Sequence, residues 1–215
     1  MQEYINKIIN ADCLDILREL PDKSIDLVLT DPPYGKNADK GTNGFGATKN
    51  RRYAGGWDNQ TPCNDVFCEI MRVSKKAIIF GGNYFSDKLP VSKCWIVWDK
   101  VGSGNFQNPF ADVELAWTNF TKVCKKCVCV QQGFVTDDKE IRIHPTQKPL
   151  PLFKWCLENY SKDGDLILDC FSGSGTTAVA CHNLHRRFIC IEKDPDYWQK
   201  SVERLEKVQQ QGLLF

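Results

Sequence analysis

The sequence predicts an α/β fold, an open sheet with its chemistry at the carboxyl ends of the strands. Three observations carry this. Short apolar runs of strand length alternate with segments of helical period along the chain. One such run, Ile25-Asp26-Leu27-Val28-Leu29-Thr30, opens directly onto Asp31-Pro32-Pro33-Tyr34, the place where open α/β sheets bind ligands. Another, Leu166-Ile167-Leu168-Asp169-Cys170, opens onto Phe171-Ser172-Gly173-Ser174-Gly175-Thr176-Thr177, a glycine turn that starts a helix.

Taken in order, Tyr4–Ile9 reads as a first strand and Asn10–Cys13 as a loop. Leu14, Ile16, Leu17 and Leu20 have helical spacing, which Pro21 and Asp22 end. After the strand that leads to Asp31 come a helix over Val66–Val73 and a strand over Lys76–Phe80, closed by Gly81-Gly82-Asn83. Further strands are predicted at Cys94–Trp98, Ala111–Trp117 and Val128–Val130. His144-Pro145-Thr146-Gln147-Lys148-Pro149 leads into an amphipathic helix that Gly164 and Asp165 close. The glycine turn opens a helix running to about Leu184. Arg187–Glu192 is the next strand, and Asp194 and Pro195 start a last helix with Trp198, Val202, Leu205 and Val208 as its apolar stripe. No internal repeat or linker interrupts the 215 residues, so a single domain over 1–215 is expected.

Composition excludes some classes of function. The net charge of +1 gives no overall basic character, so any nucleic-acid contact must come from a local patch. No run approaches the roughly 18 apolar residues of a membrane span. The first residues, Met1-Gln2-Glu3-Tyr4, lack a signal-peptide pattern. Eleven cysteines, an odd number, partly placed in apolar runs (Cys170, Cys190), fit a reducing compartment. A cytoplasmic protein without a disulfide framework is expected. Cys124, Cys127 and Cys129 form a C-x-x-C-x-C group, but no fourth ligand lies at zinc spacing. The expectation there is a thiol-rich strand and no metal; a zinc site with His144 as the fourth ligand is the alternative.

Each residue of the tetrapeptide has a physical role. The paired prolines stiffen the backbone and keep Asp31 out of helical geometry. An ionised Asp31 only accepts hydrogen bonds, and Pro32 offers a rigid carbonyl beside it. Together they form a fork for an –NH2 group, and Tyr34 adds an aromatic face. A planar heterocycle with an exocyclic amine, such as adenine or cytosine, fits all three. Taken alone, the same four residues are also consistent with a turn that closes a strand.

Residues 35–60 are rich in glycine and charge, with Lys49, Arg51 and Arg52 near the aromatics Phe45, Tyr53 and Trp57. A loop of this length inside a compact domain is usually functional or disordered. This mixture suits phosphates and unstacked bases, so it is expected to be a mobile substrate-binding loop in which those three cations meet DNA. A solvated insertion is the alternative.

Gly173, Gly175 and Ala178 match G-x-G-x-x-A, with Glu192 at a distance suited to ribose hydroxyls. This points to an adenosine-type cofactor. A dinucleotide site normally needs more βα units than the 23 residues after Glu192 supply. S-adenosylmethionine (SAM) needs one nucleoside-binding half and a place for its methionine. The methionine carboxylate suits the helix N-terminus, and Asp169 is placed to hold the ammonium.

The order Asp-Pro-Pro-Tyr first and Phe-Ser-Gly-Ser-Gly-Thr-Thr later resembles that of the β-group amino-methyltransferases of DNA, over nearly the whole chain. The resemblance implies a seven-stranded, mostly parallel sheet with helices on both faces, in which the strands before Asp31 and Phe171 are neighbours. It implies SAM as cofactor and DNA as partner, with the target base flipped out of the duplex. Asp31, Pro32, Pro33 and Tyr34 would be catalytic. Phe171, Ser172, Gly173, Ser174, Gly175, Thr176, Asp169 and Glu192 would bind SAM. Asp12 and Cys13 would meet its adenine, and Thr146 and Lys148 its methionine end. Asp in the first motif position is associated with adenine N6 as the target. Cytosine N4 is the alternative, as is a catalytically silent DNA-binding module of the same fold or an NAD-dependent enzyme. Target recognition usually follows the strand holding Glu114, and here residues 118–143 leave a reduced region for it. A homodimer is a further partner expectation. Gln211-Gly212-Leu213-Leu214-Phe215 resembles the short peptides that dock on a bacterial sliding clamp.

Overall fold

The computed structural model describes residues 1–36, 58–104, 111–132, 135–138 and 142–212. Its elements are β1 (Lys7–Asn10), α1 (Cys13–Glu19), β2 (Ile25–Thr30), α2 (Asn64–Val73), β3 (Ser74–Phe80), β4 (Trp95–Asp99), β5 (Val113–Thr118), β6 (Lys125–Val128), β7 (Gln131–Gln132), β8 (Val135–Thr136), α3 (Leu150–Tyr160), β9 (Leu166–Asp169), α4 (Thr176–Asn183), β10 (Arg187–Glu192) and α5 (Pro195–Gly212). The expected α/β architecture is present.

The main sheet has the order β1-β10-β9-β2-β3-β5-β4-β6. It has eight strands where seven were expected. β6 pairs in parallel with β4, Cys127 lying opposite Trp98, so part of the 118–143 region completes the sheet. β2 lies directly beside β9, Val28 opposite Leu168, as expected for the strands that lead to Asp31 and Phe171. Every pairing is parallel except those of β5, which runs against both β3 and β4. The carboxyl ends of the other strands therefore share one edge with the beginning of β5, the position of Glu114.

Period-two alternation builds two cores. Leu27, Leu29, Ile78 and Phe80 face Leu152, Phe153, Ala178 and Leu205 of α3, α4 and α5. Val28, Ala77 and Ile79 face Ile16, Leu17, Phe67 and Ile70 of α1 and α2. Strands buried on both faces read as continuous apolar runs, which is why β2 and β9 stand out in the sequence.

Local chemistry sets the boundaries. The chain turns at Asn6, with φ of 60°, so the first strand starts at Lys7 and not at Tyr4. Asp12 caps α1, its carboxylate accepting from the Leu14 N–H at 3.0 Å. Asp194 accepts from the N–H groups of Asp196 and Tyr197 at the start of α5. α5 continues through Gly212, and Leu213–Phe215 of the clamp-like tail lie outside the described residues. Lys49, Arg51 and Arg52 lie outside them too. The chain on either side of residues 37–57 is pinned together, since the buried Asp58 carboxylate accepts from the Gly35 and Lys36 N–H groups at 2.9 and 3.2 Å.

Candidate active site

A cleft of about 1210 Å³ opens along the shared strand edge. It is lined by Asp31, Pro32, Pro33 and Tyr34 after β2, by Asp169, Phe171, Ser172, Gly173, Ser174 and Thr176 around the glycine turn, by Glu192 at the end of β10, by Asp12 and Cys13 at the start of α1, and by Thr146 and Lys148. Chain segments far apart in sequence thus meet in one concavity, the usual form of a small-molecule site. Gly175 lies behind the turn against Ser201 and Ile8.

The Asp31 carboxylate is held from two sides. Its Oδ1 accepts from the Tyr34 hydroxyl at 2.5 Å, and its Oδ2 from the Lys148 ammonium at 2.5 Å. Lys148 also lies 3.3 Å from Glu114 Oε2, and Lys100 bonds the other Glu114 oxygen at 2.8 Å. Two carboxylates and two ammoniums thus form a neutral chain in which Lys148 is buried and Glu114 partly so. Burial pushes the Asp31 carboxyl up, opposed by the Lys148 charge. Burial also works against the Lys148 ammonium, but Asp31 and Glu114 outweigh it and hold its pKa above the usual value. Glu114 is displaced downward, the burial penalty being overcome by Lys148 and Lys100. Burial and the neighbouring Asp31 charge hold the Tyr34 phenol well above its ordinary pKa, so it donates.

Tyr34 is not an open platform. Its ring is stacked on Tyr84, with centroids 4.8 Å apart. Lys36 lies over the Tyr84 ring and bonds its hydroxyl. A Cβ on Gly81, whose φ is +68°, would come within 2.1 Å of the Tyr34 ring. The expected aromatic face is therefore a wall built of two tyrosines, and the glycine after β3 makes room for it.

On the opposite side of the cleft, Glu192 accepts from the Gly173 N–H at 2.7 Å and the Asp194 N–H at 2.8 Å. This leaves carboxylate lone pairs for a further donor. Asp169 is more fully committed. It accepts from the hydroxyls of Thr30 and Thr177 and from the Phe171 N–H. Burial raises its carboxyl to about 6. Asp169 ties β2, β9 and α4 together, and a ligand ammonium would have to share its oxygens. The Cys13 thiol, raised to about 12 by burial, stays protonated. Lys148, expected toward a methionine group, directs its ammonium to Asp31; its backbone carbonyl accepts from the Thr176 hydroxyl at 3.3 Å. Thr146 bonds the His144 ring through its N–H and hydroxyl. Burial pushes His144 down to about 4.

The residues present suit a nucleoside-type cofactor. Gly173 and Gly175 take positive φ and open the turn, Glu192 faces the cleft, and the side-chain amide of buried Gln147, Nε2, has no hydrogen-bond partner among the described residues. Sequence reasoning missed Glu114, Lys100 and Asp58. The available signal was a charged residue inside an apolar strand, as with Glu114 between Val113 and Leu115.

A family model of DNA methylases, of the N6/N4 type, matches residues 49–203. The chain is 25% identical over 268 residues to the type II methyltransferase M.HinfI of Haemophilus influenzae, covering 97% of this chain and 70% of that protein. Among solved structures, the M1.HpyAVI–SAM complex superposes with a TM-score of 0.62 at 23% identity, over 93% of this chain and 98% of that one. The cytosine-N4-specific PvuII DNA methyltransferase does so at 0.60 and 17%, over 95% and 90%. These structural likenesses share the fold described above.

Proposed function

The chain belongs to the N6/N4 DNA methylase family, and from that premise we propose that it transfers a methyl group from SAM to the N6 amine of an adenine flipped out of DNA. The observation that carries this reading is the single cleft joining the Asp31–Tyr34 turn to the glycine turn and Glu192. SAM supplies an electrophilic methyl group. In this reading Glu192 takes ribose hydroxyls, Asp12, Cys13 and Phe171 flank the base of the cofactor, and Ser172–Thr176 with Thr146 enclose its amino-acid end.

The chain's own part in the reaction follows from charge. Asp31 and the Pro32 carbonyl would accept the two amine hydrogens and orient the nitrogen lone pair. With SAM bound, the N–C bond would form as the S–C bond breaks, leaving S-adenosylhomocysteine; the Asp31 carboxylate, fixed in a shielded cleft, would stabilise the positive charge on the nitrogen until a proton is lost to solvent. The Tyr34–Tyr84 wall supplies apolar contact for an unstacked base. Lys49, Arg51 and Arg52 would grip phosphates, which gives the 35–60 loop its DNA role. The homodimer and the clamp-docking tail belong to the same proposal. Pull-down of a sliding clamp by the intact chain, but not by one truncated after Gln210, is the expected result for the tail.

Asp at the head of the motif favours adenine. The test is nucleoside analysis of polymerase-copied DNA after incubation with the protein and SAM. N6-methyldeoxyadenosine is expected. N4-methyldeoxycytidine in its place would move the target to cytosine. No SAM binding by calorimetry would leave a silent DNA-binding module.

A further inference from the structure

Resting on that reading, we propose that Lys148 and Glu114 are a positioning pair, in which the Lys148 ammonium is handed from Asp31 to Glu114 when the target amine enters. The structure gives the handover a reason. Each Asp31 oxygen already holds one donor, Oδ1 the Tyr34 hydroxyl and Oδ2 the Lys148 ammonium, so an amine hydrogen must share an oxygen with one of them. A carboxylate paired with an ammonium at 2.5 Å also presents little net charge to a nitrogen becoming positive.

The structure also provides the destination. Glu114 Oε2 is buried, no hydrogen bond satisfies it among the described residues, and Lys148 Nζ stands 3.3 Å away. That separation is longer than a charge-assisted hydrogen bond. Lys100 fixes Glu114 by its other oxygen. The rings of Tyr34, Phe80 and Trp98 lie 5.4, 5.8 and 5.9 Å from the ammonium and confine it between the two carboxylates. Only a small displacement separates the two arrangements. The ammonium keeps its three protons throughout, and Asp31 regains its full negative charge as the amine arrives.

The experiment measures single-turnover methyl transfer from labelled SAM to polymerase-copied DNA, with SAM affinity measured in parallel by calorimetry. Glu114→Gln leaves Lys148 without its second carboxylate, so transfer should fall about tenfold while SAM affinity holds. Adding Lys148→Met should make the double variant faster than Glu114→Gln alone, a sign of coupling that a merely structural pair does not give. A Glu114→Gln rate equal to that of the unsubstituted protein, or a double variant no faster than the single one, overturns the handover. A structure of the unsubstituted protein with a non-reactive SAM analogue and DNA needs no variant to fold. With a flipped base in the cleft, Nζ on Glu114 supports the inference and Nζ still on Asp31 overturns it. Absence of transfer by the unsubstituted protein rejects the functional reading itself, whereas normal transfer with failed variant results rejects the handover alone.

Discussion

Asp169 and His144 are buried with opposite consequences for stability. The Asp169 carboxyl rises from an ordinary 3.8 to about 6. Between those values the unfolded chain ionises first, so stability falls as pH rises. His144 drops from 6.5 to about 4, mainly through burial and then Lys148. In that window the unfolded chain binds the proton first, so stability rises with pH. Each effect is worth about 3 kcal/mol, and they oppose each other between roughly pH 4 and 6. The two contributions should therefore nearly cancel in the unsubstituted protein. Relative to it, urea midpoints of Asp169→Asn should climb with pH, and those of His144→Gln should fall. Parallel curves for all three proteins would reject this balance. Neither residue's role was legible in the sequence. Asp169 was expected to face a ligand, and its two threonine partners, Thr30 and Thr177, come from β2 and α4, distant in the chain. Asp31 was legible because its neighbours in the sequence, Pro32, Pro33 and Tyr34, are also its neighbours in the site.

Among the elements, two turns depend on contacts that the sequence does not show. The turn after β3 admits the Tyr34 ring only because residue 81 is glycine, at φ +68°. Gly81→Ala should cost about 1–3 kcal/mol through strain and overpacking, with a lower melting temperature and slower methyl transfer as Tyr34 is displaced. The glycine turn before α4 was legible as strand, G-x-G and helix, but its brace was not. Arg204 of α5 donates to the Ser174 carbonyl at 2.9 Å and to the Thr176 hydroxyl at 3.1 Å. Arg204→Met should reduce the fraction of chains with a formed turn and weaken SAM binding by about tenfold, which calorimetry would detect. Unchanged affinity would show that the turn holds itself. Strand cores β2, β9 and β10 were legible because strands buried on both faces are apolar throughout. β6 was displaced because its exposed lysines hide a single buried position, Cys127.

At the scale of the molecule, one reversed strand explains what sequence reasoning left out. In the main sheet β5 alone, among the described strands, runs against its neighbours, so its beginning, with Glu114, reaches the edge where the other strands end. Strand direction is a property of pairing and is not written in any local pattern. The adjacency of β2 and β9 was anticipated through the family resemblance that the two motifs carry, and it joins the two halves of the cleft. Asp58 ties Gly35 and Lys36 to the chain at residue 58, beside Tyr34. Replacing Lys49, Arg51 and Arg52 with glutamine should lower the salt slope of DNA binding by about 0.9 for each lost phosphate contact, and an unchanged slope would give the 35–60 loop another role. The central claim is that a methyl group reaches an amine held by Asp31. Its most direct test is transfer of labelled methyl from SAM to polymerase-copied DNA by the unsubstituted protein and by Asp31→Ala. The account predicts incorporation by the first and a loss of about 100-fold or more in the second, with SAM affinity preserved in both. Incorporation by Asp31→Ala at the unsubstituted rate, or none by either protein while SAM binds, would contradict it.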